Sequence, residues 1–257
     1  MTFASLSGGR DSTAMVVKWL ENGNKLDYIL FCDTYYEHDE MYTYIDNLEK
    51  YLLNKFNMQL TRIDSGDIIT ELMWSPFKKG EKKGIIRGLP FSYHRDFCTL
   101  YSKIRPSAKF VKEHCANKFR AKMLIGYTYN EVERGRNTNL DYAIAEYPLH
   151  EWKMNEPECE AFLVERGIAN PLYRHFKRTG CFICPNQSKS DLWHIYKYYP
   201  QKWQIMKEME AKAKELNASN QTFKYKKSLA EFEKEFKHTQ ELLFDNEYEA
   251  NETCFCR

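Results

Sequence analysis

The chain has 257 residues, enough for one large α/β domain or a domain with an appendage, and enough to bury a sizeable core. Its 38 Lys and Arg nearly balance 36 Asp and Glu, a formal charge of +2 that removes any global electrostatic case for a nucleic-acid partner and leaves local patches to argue one. No apolar run approaches the roughly 20 residues of a membrane helix and no basic, apolar leader precedes the first strand, so a cytoplasmic protein without a membrane partner is expected.

Phe3, Ala4 and Leu6 suit a buried first strand, and Ala14 to Val17 with Trp19 and Leu20 a mostly buried first helix. Between them, residues 5–12 read Ser-Leu-Ser-Gly-Gly-Arg-Asp-Ser. A glycine turn opening a helix aims backbone N–H groups and the positive helix end at an anion. Gly8 and Gly9 let the backbone approach a ligand, Ser7 and Ser12 supply hydroxyls, and Arg10 adds a charge. The spacing is neither that of the Walker loop nor that of the three-glycine dinucleotide fingerprint.

Residues 27–32 form a second apolar run ending at Asp33, followed by Met41, Ile45, Leu48 and Leu52 at helical spacing. Residues 59–63 read as a third strand and 122–126 as a fourth, the latter after a helix-like stretch from Phe110 to Phe119. Alternating strands and helices imply a parallel sheet with right-handed crossovers, whose ligands collect beyond the carboxyl ends of the strands. Ser7, Asp33 and Gly126 all fall at such ends. Residues 64–106, rich in Gly, Lys and aromatics, read as a lid, and Lys78, Lys79, Lys82, Lys83 and Arg87 make it the local basic patch. Residues 1–203 are read as the main domain. Residues 204–257, highly charged and with Ile205, Met209 and Ala213 at helical spacing, are read as a helical appendage ending in a Cys-x-Cys tail.

Eight cysteines in a cytosolic protein point to metal, cluster or redox roles rather than structural disulfides. Cys181 and Cys184, between Gly180 and Pro185, form a Cys-x-x-Cys knuckle that directs two sulfurs at one metal. Cys98 on the lid is the expected third ligand, and Cys254 and Cys256 are candidates for a fourth or for a redox-active tail. An iron–sulfur cluster ranks first, zinc second, and free or transient redox thiols third. Cys32, Cys115 and Cys159 are expected to be small buried apolar groups, and the histidines show no ligand spacing.

These motifs resemble, in order, those of the phosphoadenosine phosphosulfate reductase family within the PP-loop ATP pyrophosphatases, the adenine nucleotide alpha hydrolase-like group. Six segments over roughly residues 3–203 carry the likeness. They are the loop at 7–12, Phe31-Cys-Asp-Thr34 with Glu37 and Glu40, residues 95–106 (RDFCTLYSKIRP), residues 125–136 (IGYTYNEVERGR), Tyr147-Pro-Leu-His-Glu-Trp152 with Asn170-Pro-Leu-Tyr173, and Gly180-Cys-Phe-Ile-Cys-Pro185. The resemblance implies a Rossmann-like, HUP-type parallel sheet flanked by helices, and nucleotide binding at its carboxyl edge. It also implies a [4Fe-4S] cluster on cysteines comparable to those named.

The leading expectation is an enzyme that binds ATP and Mg²⁺ and adenylates a substrate oxygen with release of pyrophosphate, followed by sulfur transfer to a nucleic acid or small molecule, as in the tRNA thiolases and DNA phosphorothioation proteins it partly resembles. Ser7, Gly8, Gly9, Arg10 and Ser12 would hold the pyrophosphate, Asp11 and Asp33 the Mg²⁺ or ribose, and Arg134 and Arg136 further phosphate, with Gly126 at the strand end. Asp11, Ser12, Asp33 and Cys98 are the expected catalytic residues. A nucleic-acid acceptor would meet the lysine-rich lid. A sulfur donor or reductant protein fits the chemistry, and a homodimer is compatible with the chain. One alternative is a sulfonucleotide reductase that uses Cys254 or Cys256 to release sulfite, and another is a non-catalytic nucleotide-binding module.

Overall fold

The computed structural model describes residues 1–90, 98–135, 138–224 and 226–238. Its strands are β1 (Thr2–Leu6), β2 (Tyr28–Cys32), β3 (Leu60–Ile63), β4 (Lys122–Leu124) and β5 (Ile144–Glu146). The helices are α1 (Arg10–Glu21), α2 (Asp39–Phe56), α3 (Ile68–Met73), α4 (Arg105–His114), α5 (Tyr129–Glu133), α6 (Pro148–Glu151), α7 (Glu156–Glu165), α8 (Lys189–Tyr198) and α9 (Pro200–Glu215), with residues 229–238 forming α10. A π-helical stretch, Thr99–Ile104, runs directly into α4.

All five strands are parallel, in the order β3-β2-β1-β4-β5. The protein is therefore the expected α/β sheet flanked by helices. Chain order reverses at β1, whose neighbours are β2 and β4, and that reversal opens a crevice beyond the carboxyl ends of those strands. The central strands are buried because both faces are covered, which is why β2 reads as an uninterrupted apolar run. Phe3, Leu30, Val111, Met123 and Tyr142 form one core cluster, joining β1, β2 and β4 to α4 and the segment before β5. The short β5 was not anticipated, since Ile-Ala-Glu carries no periodic signal. It exists because its backbone completes β4, with the Ile144 N–H donating to the Ala121 carbonyl at 2.8 Å and the Ile125 N–H to that of Glu146 at 3.0 Å.

The chain divides into two compact units, one of Met1–Thr70 and Phe97–Phe182, the other of Glu71–Asp96 and Ile183–Arg257. The first holds the sheet. In the second, the insertion pairs with the chain that follows α9: the Ser219 N–H donates to the Ile86 carbonyl at 2.8 Å and the Leu89 N–H to that of Asn220 at 3.0 Å. Gly88, at φ +82°, is required there, because a Cβ would stand 2.0 Å from the Asn220 carbonyl oxygen. The observed division, after residue 182, differs from the expected boundary at 203. Composition marks the change to charged helices, whereas backbone pairing between distant segments decides which belong together.

The phase of α9 also differs from expectation. Its buried residues are Trp203, Met206, Glu210 and Ala213, while Ile205 is 41% exposed. A hydropathy stripe passes over Glu210, yet its buried carboxylate accepts the N–H groups of Phe223 at 3.2 Å and Leu229 at 2.8 Å. Burial raises the Glu210 carboxyl above its usual range, and those two donors oppose the rise.

Candidate functional site

A cavity of about 630 Å³ lies in the first unit at the crevice between the ends of β1, β2 and β4. Ser7, Gly9, Arg10, Asp11, Ser12 and Gly126 are among the residues that line it. The volume falls in the range of small-molecule and cofactor sites.

The loop is held by its own hydroxyls. The Ser12 hydroxyl donates to the Gly9 carbonyl at 3.1 Å and accepts the Ser7 N–H at 3.1 Å, with the Ser7 Oγ 3.0 Å away. Gly8 turns at φ +77° and its carbonyl accepts the Asn170 side-chain amide at 2.8 Å. Gly126 lets β4 approach α1: a Cβ there would stand 2.8 Å from the Ser12 backbone nitrogen and Cα. It shapes the wall by what it lacks.

Arg10 has partners within the protein. Its guanidinium meets Glu156 at 2.6 Å and Glu160 at 3.8 Å on α7, and lies 4.4 Å over the Tyr173 ring. Its backbone N–H donates to the Tyr173 hydroxyl at 3.0 Å, which also accepts from Thr179 at 3.3 Å. The segment from Asn170 to Thr179 thus braces the loop, a role that the sequence motif Asn170-Pro-Leu-Tyr173 did not reveal. Lys177, Arg178 and Thr179 line the cavity beside it, as do Lys103 from the π-helical stretch and Ser107 from the first turn of α4. Of these, Lys103 alone falls in a segment that carries the family likeness, residues 95–106, and the others were not singled out from the sequence. Their basic and hydroxyl side chains become informative only once the fold brings them to one wall.

Asp11 stands apart electrostatically. Its Oδ1 is buried without a hydrogen-bond partner, although the carboxyl as a whole takes a hydrogen bond from the Cys159 thiol, and burial, reinforced by Glu156 and Glu131, pushes it up to about 6 against the opposing Arg10 charge and that thiol. A carboxylate desolvated and left with an open lone pair at a phosphate-type loop fits a divalent cation, which would take the remaining ligands from water and a nucleotide.

Asp33 is engaged by the chain, its Oδ1 accepting the Tyr35 N–H at 2.8 Å and the Tyr42 hydroxyl at 2.9 Å. Arg134 caps α5, donating to the Asn130 carbonyl at 3.0 Å on an exposed surface. Neither is among the residues lining the cavity. Arg136 lies outside the described residues, as do Cys254 and Cys256. Cys181 comes close to the cavity, with its Sγ 3.0 Å from the Thr34 hydroxyl and 3.5 Å from a carboxylate oxygen of Glu37, which itself lines the wall. Cys98 precedes the π-helical turn, its carbonyl accepting the Ser102 hydroxyl at 2.7 Å. Among the described residues, no three His, Cys, Asp or Glu side chains are grouped as a metal ion requires. Cys32 and Cys159 are buried as expected, but Cys32 also lines the cavity, 3.3 Å from the Ser107 hydroxyl.

The family model for the phosphoadenosine phosphosulfate reductase domain matches residues 1–187. A curated uncharacterized protein of Methanocaldococcus jannaschii is 24% identical over 208 residues, 78% of this chain. The match spans 39% of that relative's length. A phosphoadenylyl-sulfate reductase structure from Candida auris, solved as a phosphate complex, is similar at TM-score 0.46 and 14% identity, over 70% of this chain and 81% of that one. The U34-tRNA thiolase NcsA of Methanococcus maripaludis, solved with its [4Fe-4S] cluster, is similar at TM-score 0.43 and 14% identity, over 89% and 76%.

Proposed function

This chain belongs to the phosphoadenosine phosphosulfate reductase domain family, and from that premise we propose that it binds Mg-ATP in the cavity and adenylates a substrate oxygen, releasing pyrophosphate. A sulfur nucleophile at the sulfide level, from a separate donor, then adds through its lone pair to the adenylated carbon of a nucleic acid or a small molecule, and the bond from that carbon to the activated oxygen breaks as AMP leaves with the oxygen and the electron pair. The observation that carries this reading is Asp11, whose buried, unpartnered oxygen at the glycine turn calls for a cation of the kind that accompanies a nucleoside triphosphate.

In the adenylation step a lone pair on the substrate oxygen forms a bond to the α-phosphorus as the bond to the bridging oxygen breaks, and pyrophosphate leaves with that electron pair. The chain's task is to hold the leaving group and to exclude water. Backbone N–H groups at the start of α1 and the hydroxyls of Ser7 and Ser12 face the developing charge, while Lys177 and Arg178 supply cations from the opposing segment. Asp11 would hold Mg²⁺, which when bound neutralises charge on the phosphate oxygens. Arg10 contributes by bracing α1 against α7 and Tyr173. The thiols of Cys98 and Cys181, the sulfur donor and a cytoplasmic location belong to this reading as expectations.

Competition between Mg-ATP and phosphoadenosine phosphosulfate for the anaerobically purified protein tests it, with iron and zinc counted on the same sample. Preferential binding of Mg-ATP is the expected result. Preference for the phosphosulfate, unaffected by chelating Mg²⁺, would replace this reading with the sulfite-releasing one. Stoichiometric iron would support the cluster expectation.

A further inference from the structure

The glycine at position 9 provides room rather than conformational freedom. Its backbone, at φ −73° and ψ 158°, is one that any residue adopts. A Cβ on it would stand 3.3 Å from the Ser7 hydroxyl oxygen, 3.3 Å from that of Tyr173 and 3.4 Å from that of Thr179. Three hydroxyls, two of them from the segment that follows α7, therefore converge over the glycine turn. All four residues line the cavity.

A hydroxyl offers one proton and two lone pairs, so each proton around Gly9 can be followed to its acceptor. Ser12 donates to the Gly9 carbonyl at 3.1 Å, which leaves the 3.0 Å contact between Ser7 and Ser12 to the Ser7 proton. Thr179 donates to the Tyr173 oxygen at 3.3 Å, and the Arg10 N–H takes the other lone pair of that oxygen at 3.0 Å. Tyr173 is thus an acceptor twice over, and its own proton meets no acceptor among the described residues. Burial holds the phenol above its ordinary range, against the lowering by the same two donors, so the proton is retained at neutral pH. The Arg10 guanidinium, 4.4 Å from the ring centroid, draws charge off the ring and makes the hydroxyl a stronger donor.

We propose that Tyr173 is a phosphate-binding residue of the glycine loop, giving its hydroxyl proton to an oxygen of the di- or triphosphate held over Gly9 while Thr179 keeps the hydroxyl in place. The proposal rests on the adenylation reading above and deepens it, adding to the loop a donor from a distant segment. A polyphosphate presents acceptor oxygens on every side, and Lys177 and Arg178 line the same cavity as cations for it. As pyrophosphate departs its oxygens gain charge, so a hydrogen bond from Tyr173 strengthens in the transition state. A hydroxyl that merely filled the place of a phosphate oxygen in the empty protein would act with the opposite sign, competing with the ligand for the Arg10 N–H.

Calorimetric titration of the full chain with inorganic pyrophosphate and Mg²⁺, with Mg-ATP and with adenosine tests it. The native protein is compared with Tyr173→Phe, which keeps the ring beneath Arg10. A hydrogen bond to a charged group is lost, so the variant is expected to bind pyrophosphate and Mg-ATP about tenfold to a hundredfold more weakly. Adenosine, which has no phosphate, should bind both proteins equally, and the melting temperature should fall by only a few degrees. Equal or tighter binding of pyrophosphate by Tyr173→Phe overturns the proposal, because the hydroxyl is then a placeholder that phosphate displaces. A parallel loss of adenosine binding overturns it too, since the hydroxyl then acts through the shape of the cavity, as does a native chain that binds neither pyrophosphate nor Mg-ATP. The adenylation reading fails separately: pyrophosphate binding that Tyr173→Phe weakens, with no binding of Mg-ATP, sinks that reading and leaves the Tyr173 donor standing.

Discussion

At Asp11, stability and function oppose each other. Its carboxyl is raised from 3.8 to about 6 chiefly by burial. A raised value in the folded state means that the protonated form is the one folding favours. That contribution is fully present below about pH 4 and is lost as pH climbs through 6, so the ionised group costs up to about 3 kcal/mol at neutral pH. Asp11→Asn should therefore raise the melting temperature of the ligand-free protein near pH 7, leave it unchanged near pH 4, and weaken Mg-ATP binding at least tenfold. Melting curves and calorimetric titration check the two halves, and equal melting temperatures at both pH values would contradict the burial argument. Gly126→Ala is the steric counterpart. The new Cβ meets backbone at 2.8 Å, where no side chain can swing aside, and a loss of about 1–3 kcal/mol together with weaker nucleotide binding is expected from urea unfolding and titration.

Among elements, the brace from Asn170 to Thr179 determines where the loop sits. Asn170 is buried and gives its amide to the Gly8 carbonyl, so Asn170→Ala strands a buried acceptor and should cost about 1–3 kcal/mol in urea unfolding. The observed phase of α9 gives a second test. Met206 is fully buried and Ile205 is 41% exposed. Met206→Ala should cost about 2–5 kcal/mol and Ile205→Ala well under 1, the reverse of what the hydropathy stripe through Ile205 and Met209 implies. Four strands and the two long helices of the first unit were legible because their apolar residues repeat at the period of the element that buries them. β5 and the phase of α9 were not. A three-residue strand has no period, and a buried glutamate satisfied by two distant N–H groups looks solvent-facing in a linear pattern.

Over the whole molecule, ligand linkage gives the broadest check. A nucleotide that binds only the native chain stabilises it by about 2.7 kcal/mol at a hundred times its dissociation constant. Mg-ATP should raise the melting temperature, and a chelator should abolish most of the shift, since Asp11 alone among the carboxylates at the loop combines burial with an unpartnered oxygen and a raised carboxyl. A shift that survives chelation would remove the cation from the site.

The amino-acid sequence by itself determined the glycine loop, its position between the first strand and helix, and the order of motifs that marks the family, because each depends on neighbours within a few residues. It also determined the parallel sheet, since alternating strands and helices of these lengths admit few other arrangements. Only the tertiary structure decided that Arg10 turns to Glu156 and Tyr173, that Asp33 is bound by Tyr35 and Tyr42, and that Lys103 and Arg178 share a wall with Ser7. Those outcomes join residues up to 171 positions apart, from Ser7 to Arg178, and at such separations side-chain partners are set by packing rather than by spacing along the chain.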